Sequence, residues 1–154
     1  MTLELWKGRQ APDFTLPTTM GTLSLADLIA QGKVVLSFYA EDATPVCTAQ
    51  INAFKEGYET MVEFGAQLLA ISADSLESHQ AFAKRIGGVP FPLASDEQLE
   101  VSTLYGVVDE VSKRSRRAVF VVDEYGMLLL ANPSYNPGNP AQYASVFKSL
   151  GIEV

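Results

Sequence analysis

Three short apolar runs constrain this chain more than any other feature. "VVLSFYA" (34–40), "AQLLAISAD" (66–74) and "AVFVVDE" (118–124) are rich in aliphatic, β-branched and aromatic residues, and none alternates apolar with polar. A strand with one face in water alternates at a period of two, so a run without alternation is covered on both faces. These runs therefore predict central strands of a sheet buried between two helical layers. A fourth run, "MLLLANP" (127–133), follows the third after Glu124, Tyr125 and Gly126, a spacing suited to a hairpin. It adds an antiparallel strand, and the sheet becomes mixed.

The segments between these runs read as helices. From Cys47 the residues Ile51, Phe54, Tyr58, Met61 and Val62 recur at helical spacing and predict one apolar stripe that includes the cysteine. A second helix is expected from Asp74, where Asp74 and Glu77 stand in capping-box spacing. Phe82, Ala83 and Ile86 would form its core stripe and Gly87-Gly88 its end. A shorter helix is expected from Ser95 or Asp96 to Tyr105. A last one has Asn139 as N-cap, Pro140 at the first helical position, and Tyr143, Val146, Phe147 and Leu150 on one face. Strands alternating with helices on both sides of a mixed sheet define an α/β class.

Composition narrows the function. With 154 residues, 47% of them apolar, the chain suits one domain, expected over 1–154. The N-terminal stretch lacks the basic and apolar regions of a secretory signal, and no run is long enough for a membrane span. The expected location is cytoplasmic, with no membrane partner. A net charge of −7 repels phosphate backbones, so no nucleic-acid partner is expected. Gly87-Gly88 follows a helix instead of opening one and gives no phosphate loop. No cluster of His, Cys, Asp or Glu at ligand spacing is visible, so neither a metal nor a cofactor is expected, and the sole histidine, His79, reads as packing beside Phe82, Ala83 and Ile86.

The one cysteine cannot form an intrachain disulfide. In "EDATPVCTAQ" (41–50), Thr44, Pro45, Val46 and Cys47 read as N-cap, N1, N2 and N3 of the long helix that follows the first central strand. A thiol in a first helical turn lies near unsatisfied N–H groups and the positive end of the dipole, and both favour the nucleophilic thiolate. Free cysteine is often a buried apolar residue, but a capped helix start after a central strand favours chemistry over packing.

The same segment, "SFYAEDATPVCTAQ", resembles the active-site motif of the peroxiredoxins, in which phenylalanine, tyrosine, proline and a spaced threonine precede the peroxidatic cysteine. "APDFTLPTTMGTLSLADL", "AISADSLESHQAF", "FPLASD", "YGV" and "RAVFVVDEYG" resemble further family segments in the family order, spanning 11–126. The resemblance is to the AhpC/TSA type and its one-cysteine class, similar to bacterioferritin comigratory protein or AhpE. It implies a thioredoxin-like fold with a central mixed β-sheet flanked by helices on both faces.

It also implies a thiol-dependent peroxidase that takes hydrogen peroxide or alkyl hydroperoxides. Cys47 would be the nucleophile oxidised to sulfenic acid, Thr44 would position the peroxide, and Arg117 would hold the thiolate and peroxide oxygens. Arg116 is the alternative to Arg117, since one residue along a strand switches face. Taken alone, "KRSRR" (113–117) reads more readily as a solvated loop than as a site. With no second cysteine, the reductant would be external: thioredoxin, glutaredoxin or a low-molecular-weight thiol. A monomer or homodimer is expected. Two positions depart from the family pattern: Ala40 replaces the motif proline and Gln50 a common glutamate. Ala40 keeps open a redox sensor or interaction module on the same fold. A dithiol oxidoreductase would need a second cysteine where Gln50 stands.

Overall fold

The computed structural model describes residues 5–153. The chain begins with a hairpin, β1 (Thr15–Thr18) and β2 (Gly21–Ser24), and a short helix, α1 (Leu25–Ile29). The centre follows as β3 (Lys33–Phe38), α2 (Pro45–Glu63), β4 (Ala66–Ser72), α3 (Leu76–Arg85) and β5 (Leu93–Ser95). Helix α4 (Glu100–Leu104) and the small ribbon β6 (Val108–Asp109) and β7 (Arg114–Ser115) lead to β8 (Ala118–Val122), β9 (Leu128–Asn132) and α5 (Pro140–Ser149).

Seven strands form one sheet in the order β2-β1-β5-β4-β3-β8-β9. β3, β4 and β5 run parallel, β8 pairs antiparallel with β3, and the hairpins β1–β2 and β8–β9 close the two edges. The unalternating runs are explained by cover on both faces. Val35, Val119 and Val121 pack with Ile51, Phe54 and Met61 of α2 and Phe147 of α5. Their neighbours Leu36, Phe38, Phe120 and Val122 pack on the other face with Leu25 and Leu28 of α1 and Val101 of α4. Burying each large side chain contributes about 2 kcal/mol, so neither face can be turned to water cheaply.

Several expected boundaries move. Val62 is 53% exposed and leaves the stripe of α2, because it sits about 100° round the helix from buried Met61. Helix α3 is capped by Ser75, whose hydroxyl accepts the Ser78 N–H at 3.1 Å, and not by Asp74. The Asp74 carboxylate is taken up by Ser72 Oγ and by the Asp42 N–H. The helix expected from Ser95 or Asp96 to Tyr105 is only α4: Ser95 completes β5, and Leu99 turns the chain at φ 57°. Asp96 nevertheless serves its start, accepting from the Val101 and Ser102 N–H groups at 3.2 and 2.8 Å. Helix α5 has the expected Asn139 cap and Pro140 first position.

Candidate active site

The site lies at the end of the sheet where β3 leaves Phe38 and the chain loops into α2. Cys47 occupies the first turn of α2, is 1% exposed, and packs in the cluster that includes Tyr39, Ile51 and Tyr135. Thr44 is the N-cap and Pro45 the first helical residue. The Thr44 side chain makes no capping bond; its hydroxyl donates to the Glu41 carbonyl at 3.0 Å. The first backbone bond of the helix runs from the Thr48 N–H to the Thr44 carbonyl at 2.8 Å. The N–H groups of Val46 and Cys47 are thus left without an acceptor among the described residues, beside the sulfur and at the positive end of the dipole.

Arg117 arrives from the antiparallel neighbour. Ala118 pairs with Phe38, so the chain just before β8 lies beside the chain just after β3. Arg117 shares its strand parity with Val119 and Val121, which pack in the Cys47 cluster; Arg116 shares parity with Ala118 and Phe120, which pack on the opposite face. Both arginines are exposed, and both line one cavity of about 350 Å³ together with Ala40 and Tyr135. Arg117 is therefore brought to the Ala40 side of the site, but its guanidinium makes no hydrogen bond to Cys47 or Thr44. The Tyr135 N–H donates to the Arg117 carbonyl at 2.9 Å and ties this corner together. Burial, then Tyr143, pushes the Tyr135 hydroxyl up to about 12, so it stays a neutral donor at neutral pH.

A buried polar network holds the loop before Cys47, and sequence patterning does not reveal it. Tyr39 OH donates to Asp42 Oδ1 at 2.6 Å, Ser78 Oγ donates to Asp42 Oδ2 at 2.8 Å, and His79 Nδ1 lies 2.8 Å from the same Oδ2. His79 Nε2 lies 2.9 Å from the Ala94 carbonyl, an acceptor only, so that nitrogen carries a proton. His79 is fully buried as packing predicts, but it is also a two-ended hydrogen-bonding post between the loop and β5. Burial alone would raise the Asp42 carboxyl; the bonds from His79 and Tyr39 outweigh it and hold the group below its ordinary range. Tyr39 moves the other way, raised by burial and then by the Asp42 charge.

Arg114, from the basic run, reaches Glu41 at 3.4 Å and Asp74 at 3.5 Å and fastens the same loop from outside. Asp42, Asp74 and His79 bring ligand-type atoms within 4.8 Å of one another. Asp74 Oδ2 and both Asp42 oxygens already accept protein donors, so this donor set is suited to hydrogen bonding and fits a cation poorly.

Gln50, one turn after Cys47, is 1% exposed. Its amide nitrogen donates to Ser37 Oγ at 2.8 Å and to the Phe38 carbonyl at 3.1 Å, while Oε1 is buried without a partner among the described residues. Ala40 packs against the Cys47 cluster on one side and lines the cavity on the other.

A lone thiol in the first turn of the helix after a central strand, on a mixed sheet covered on both faces, defines a single-cysteine redox protein of the thioredoxin-like class. The sequence matches the AhpC/TSA family over residues 7–130. It is 35% identical over 151 residues to a peroxiredoxin of Thermoplasma volcanium, covering 93% of this chain and 73% of that protein. To peroxiredoxin 2 of Thermoplasma acidophilum it is 39% identical, covering 93% and 75%. The fold superposes on the crystal structure of peroxidoxin BcpB from Mycobacterium tuberculosis with a TM-score of 0.87 at 27% identity, over 98% of this chain and all of that one. The chain belongs to the AhpC/TSA family, the peroxiredoxins.

Proposed function

We propose that this chain is a thiol-dependent peroxidase whose Cys47 thiolate attacks hydrogen peroxide or an alkyl hydroperoxide. The sulfur bonds to one peroxide oxygen, the O–O bond breaks, and the second oxygen leaves as water or an alcohol after taking up a proton. Cys47 is left as a sulfenic acid. The observation that carries this reading is the placement of Cys47 beside the unpaired N–H groups of Val46 and Cys47. Those donors suit the charge that develops on the breaking bond. Thr44 is the residue assigned to positioning the peroxide, with its hydroxyl oxygen free to accept while its proton is held by Glu41. Arg117 is assigned to the anion, supported by its parity with Val119 and Val121 and by its place in the cavity beside Ala40.

Recycling falls to an external thiol, since no second cysteine exists in the chain. A solved structure of the yeast mitochondrial 1-Cys peroxiredoxin, 25% identical with a TM-score of 0.83 over 96% of this chain and 76% of that one, is described in terms of thiol resolution via glutathione/thioredoxin systems. The test is to treat reduced protein with substoichiometric peroxide, trap with dimedone, and weigh the product. One dimedone adduct on Cys47, absent in Cys47→Ser together with peroxide consumption, is expected. Peroxide consumption undiminished in Cys47→Ser would overturn the assignment.

A further inference from the structure

Four of the chain's eleven cations stand within residues 113–117, in a protein of net charge −7. Two of the four are neutralised: Lys113 pairs with Glu110, and Arg114 with Glu41 and Asp74. The other two, Arg116 and Arg117, make no ion pair and no side-chain hydrogen bond among the described residues, and both open into the cavity beside Ala40. The remaining wall includes the small polar residues Ser112, Ser115, Ser134 and Asn136. One acid, Asp109, also lines it. Its carboxylate accepts the Val111 and Ser112 N–H groups and already sits in the field of Arg116, which leaves the cavity with an excess of one positive charge.

The cavity is larger than hydrogen peroxide alone requires. A water molecule occupies about 30 Å³, and hydrogen peroxide only a little more. At about 350 Å³ the space has room for a molecule of several further heavy atoms, in the size range of small-ligand pockets. Ala40 and Tyr135 belong both to the cavity wall and to the cluster holding Cys47, so these two side chains connect the cavity with the nucleophile's surroundings. The chain lacks a resolving cysteine, so a thiol from outside must come to this sulfur.

We infer that the cavity lined by Arg116 and Arg117 is a docking site for the carboxylate of a small thiol reductant, with Arg116 as its specificity-determining contact. The inference rests on the peroxidase reading of Cys47. The docked thiol attacks the sulfenic sulfur, a mixed disulfide forms, and the hydroxyl leaves as water with the thiol's proton. A second thiol molecule then displaces Cys47 as a thiol and departs as the small-molecule disulfide, so two thiols supply the two electrons. A guanidinium can take a carboxylate through two parallel hydrogen bonds, which an ammonium or a neutral amide cannot copy.

Two measurements test this. In the first, the reduced protein is titrated with methylthiopropionate and, separately, with neutral methylthioethanol, inert analogues of an acidic and a neutral thiol. The acidic analogue is expected to bind about tenfold more tightly, with the preference abolished in Arg116→Gln and weakened by molar salt. Equal binding of the two overturns the inference.

In the second, Cys47 oxidised by one equivalent of peroxide is mixed with mercaptopropionate or mercaptoethanol, and rates are compared per thiolate. Faster recycling by the acidic thiol is expected, by a similar factor. If the acidic preference appears instead only between carboxylated and neutral hydroperoxides in the oxidation step, the carboxylate belongs to the peroxide and the reductant assignment fails. Failure of the peroxidase reading shows earlier, as no oxidation of Cys47 before any thiol is added, and the binding comparison still decides the site.

Discussion

At the scale of single residues, the position that most separates this chain from its family motif is Ala40. A methyl group stands where a proline ring would cover the sulfur, between the Cys47 cluster and the cavity. Water reaching the site competes for the donors that should hold the peroxide and weakens their field. Ala40 follows the last residue pairs of β3, and its N–H makes no backbone hydrogen bond among the described residues. Proline there would sacrifice no donor. Ala40→Pro is therefore expected to raise the second-order rate of Cys47 oxidation by about tenfold, equivalent to about 1.4 kcal/mol of barrier. Stopped-flow oxidation of both proteins by hydrogen peroxide measures it, and an unchanged rate would mean that the alanine is no weak point. Gln50 is the other departure, and its orphaned Oε1 is a buried acceptor that a carboxylate would have made an anion.

Among the elements, α2 matters most, because it carries Cys47 at one end and touches α5 through Ala53, Phe54 and Gly57 near its middle. Gly57 marks the closest approach. A Cβ there would meet Phe147 Cζ at 2.5 Å and Tyr143 OH at 2.6 Å. Tyr143 cannot simply swing aside, since its hydroxyl donates to the Ala53 carbonyl at 2.7 Å. Alanine is the better helix former by about 1 kcal/mol, whereas forcing a methyl group into a filled contact costs about 1–3 kcal/mol. Overpacking wins, so Gly57→Ala is expected to lower stability by about 1 kcal/mol in urea unfolding; a gain would show that the two helices separate easily. The cap of α5 is a second test. Asn139 Oδ1 accepts the Ala141 N–H at 3.0 Å, so Asn139→Ala should cost about 1 kcal/mol in the same assay, with peroxide chemistry retained.

Across the whole molecule, the Asp42–His79 pair joins the loop before Cys47 to α3 and β5, and through Asp74 to the end of β4. The Asp42 side chain is 4% exposed and that of His79 fully buried, so removing one partner leaves the other desolvated. Asp42→Asn is expected to cost about 3 kcal/mol at pH 7. The pH dependence has a definite sign. Asp42 is held below its ordinary value in the folded state, so it binds protons less readily than in the unfolded chain. Its stabilisation is complete above the unfolded carboxyl value of about 4 and is lost as pH falls through the lower folded value. The gap between wild type and Asp42→Asn should accordingly close in acid, as pH falls through the carboxylate range. Urea midpoints measured down the pH series decide it, and a gap that persists unchanged in acid would remove Asp42 as the titrating group.

What the amino-acid sequence determines by itself is local and periodic. The absence of alternation in the strand runs dictates cover on both faces. The order threonine, proline, valine, cysteine dictates a thiol in a first helical turn, because caps and helical stripes act over a few residues. Family likeness adds the roles proposed for Cys47, Thr44 and Arg117. Only the tertiary structure decides what crosses long stretches of chain. His79 meets Asp42 across 37 residues and Asp74 meets Asp42 across 32, so a histidine that patterning reads as packing becomes a post and an expected helix cap becomes a loop anchor. The antiparallel register of β3 and β8 likewise sets Arg116 and Arg117 beside Ala40, more than seventy-five residues away in sequence. Such meetings leave no local signal because their free energy comes from closing loops and excluding water between surfaces, and those surfaces exist only once the sheet has assembled.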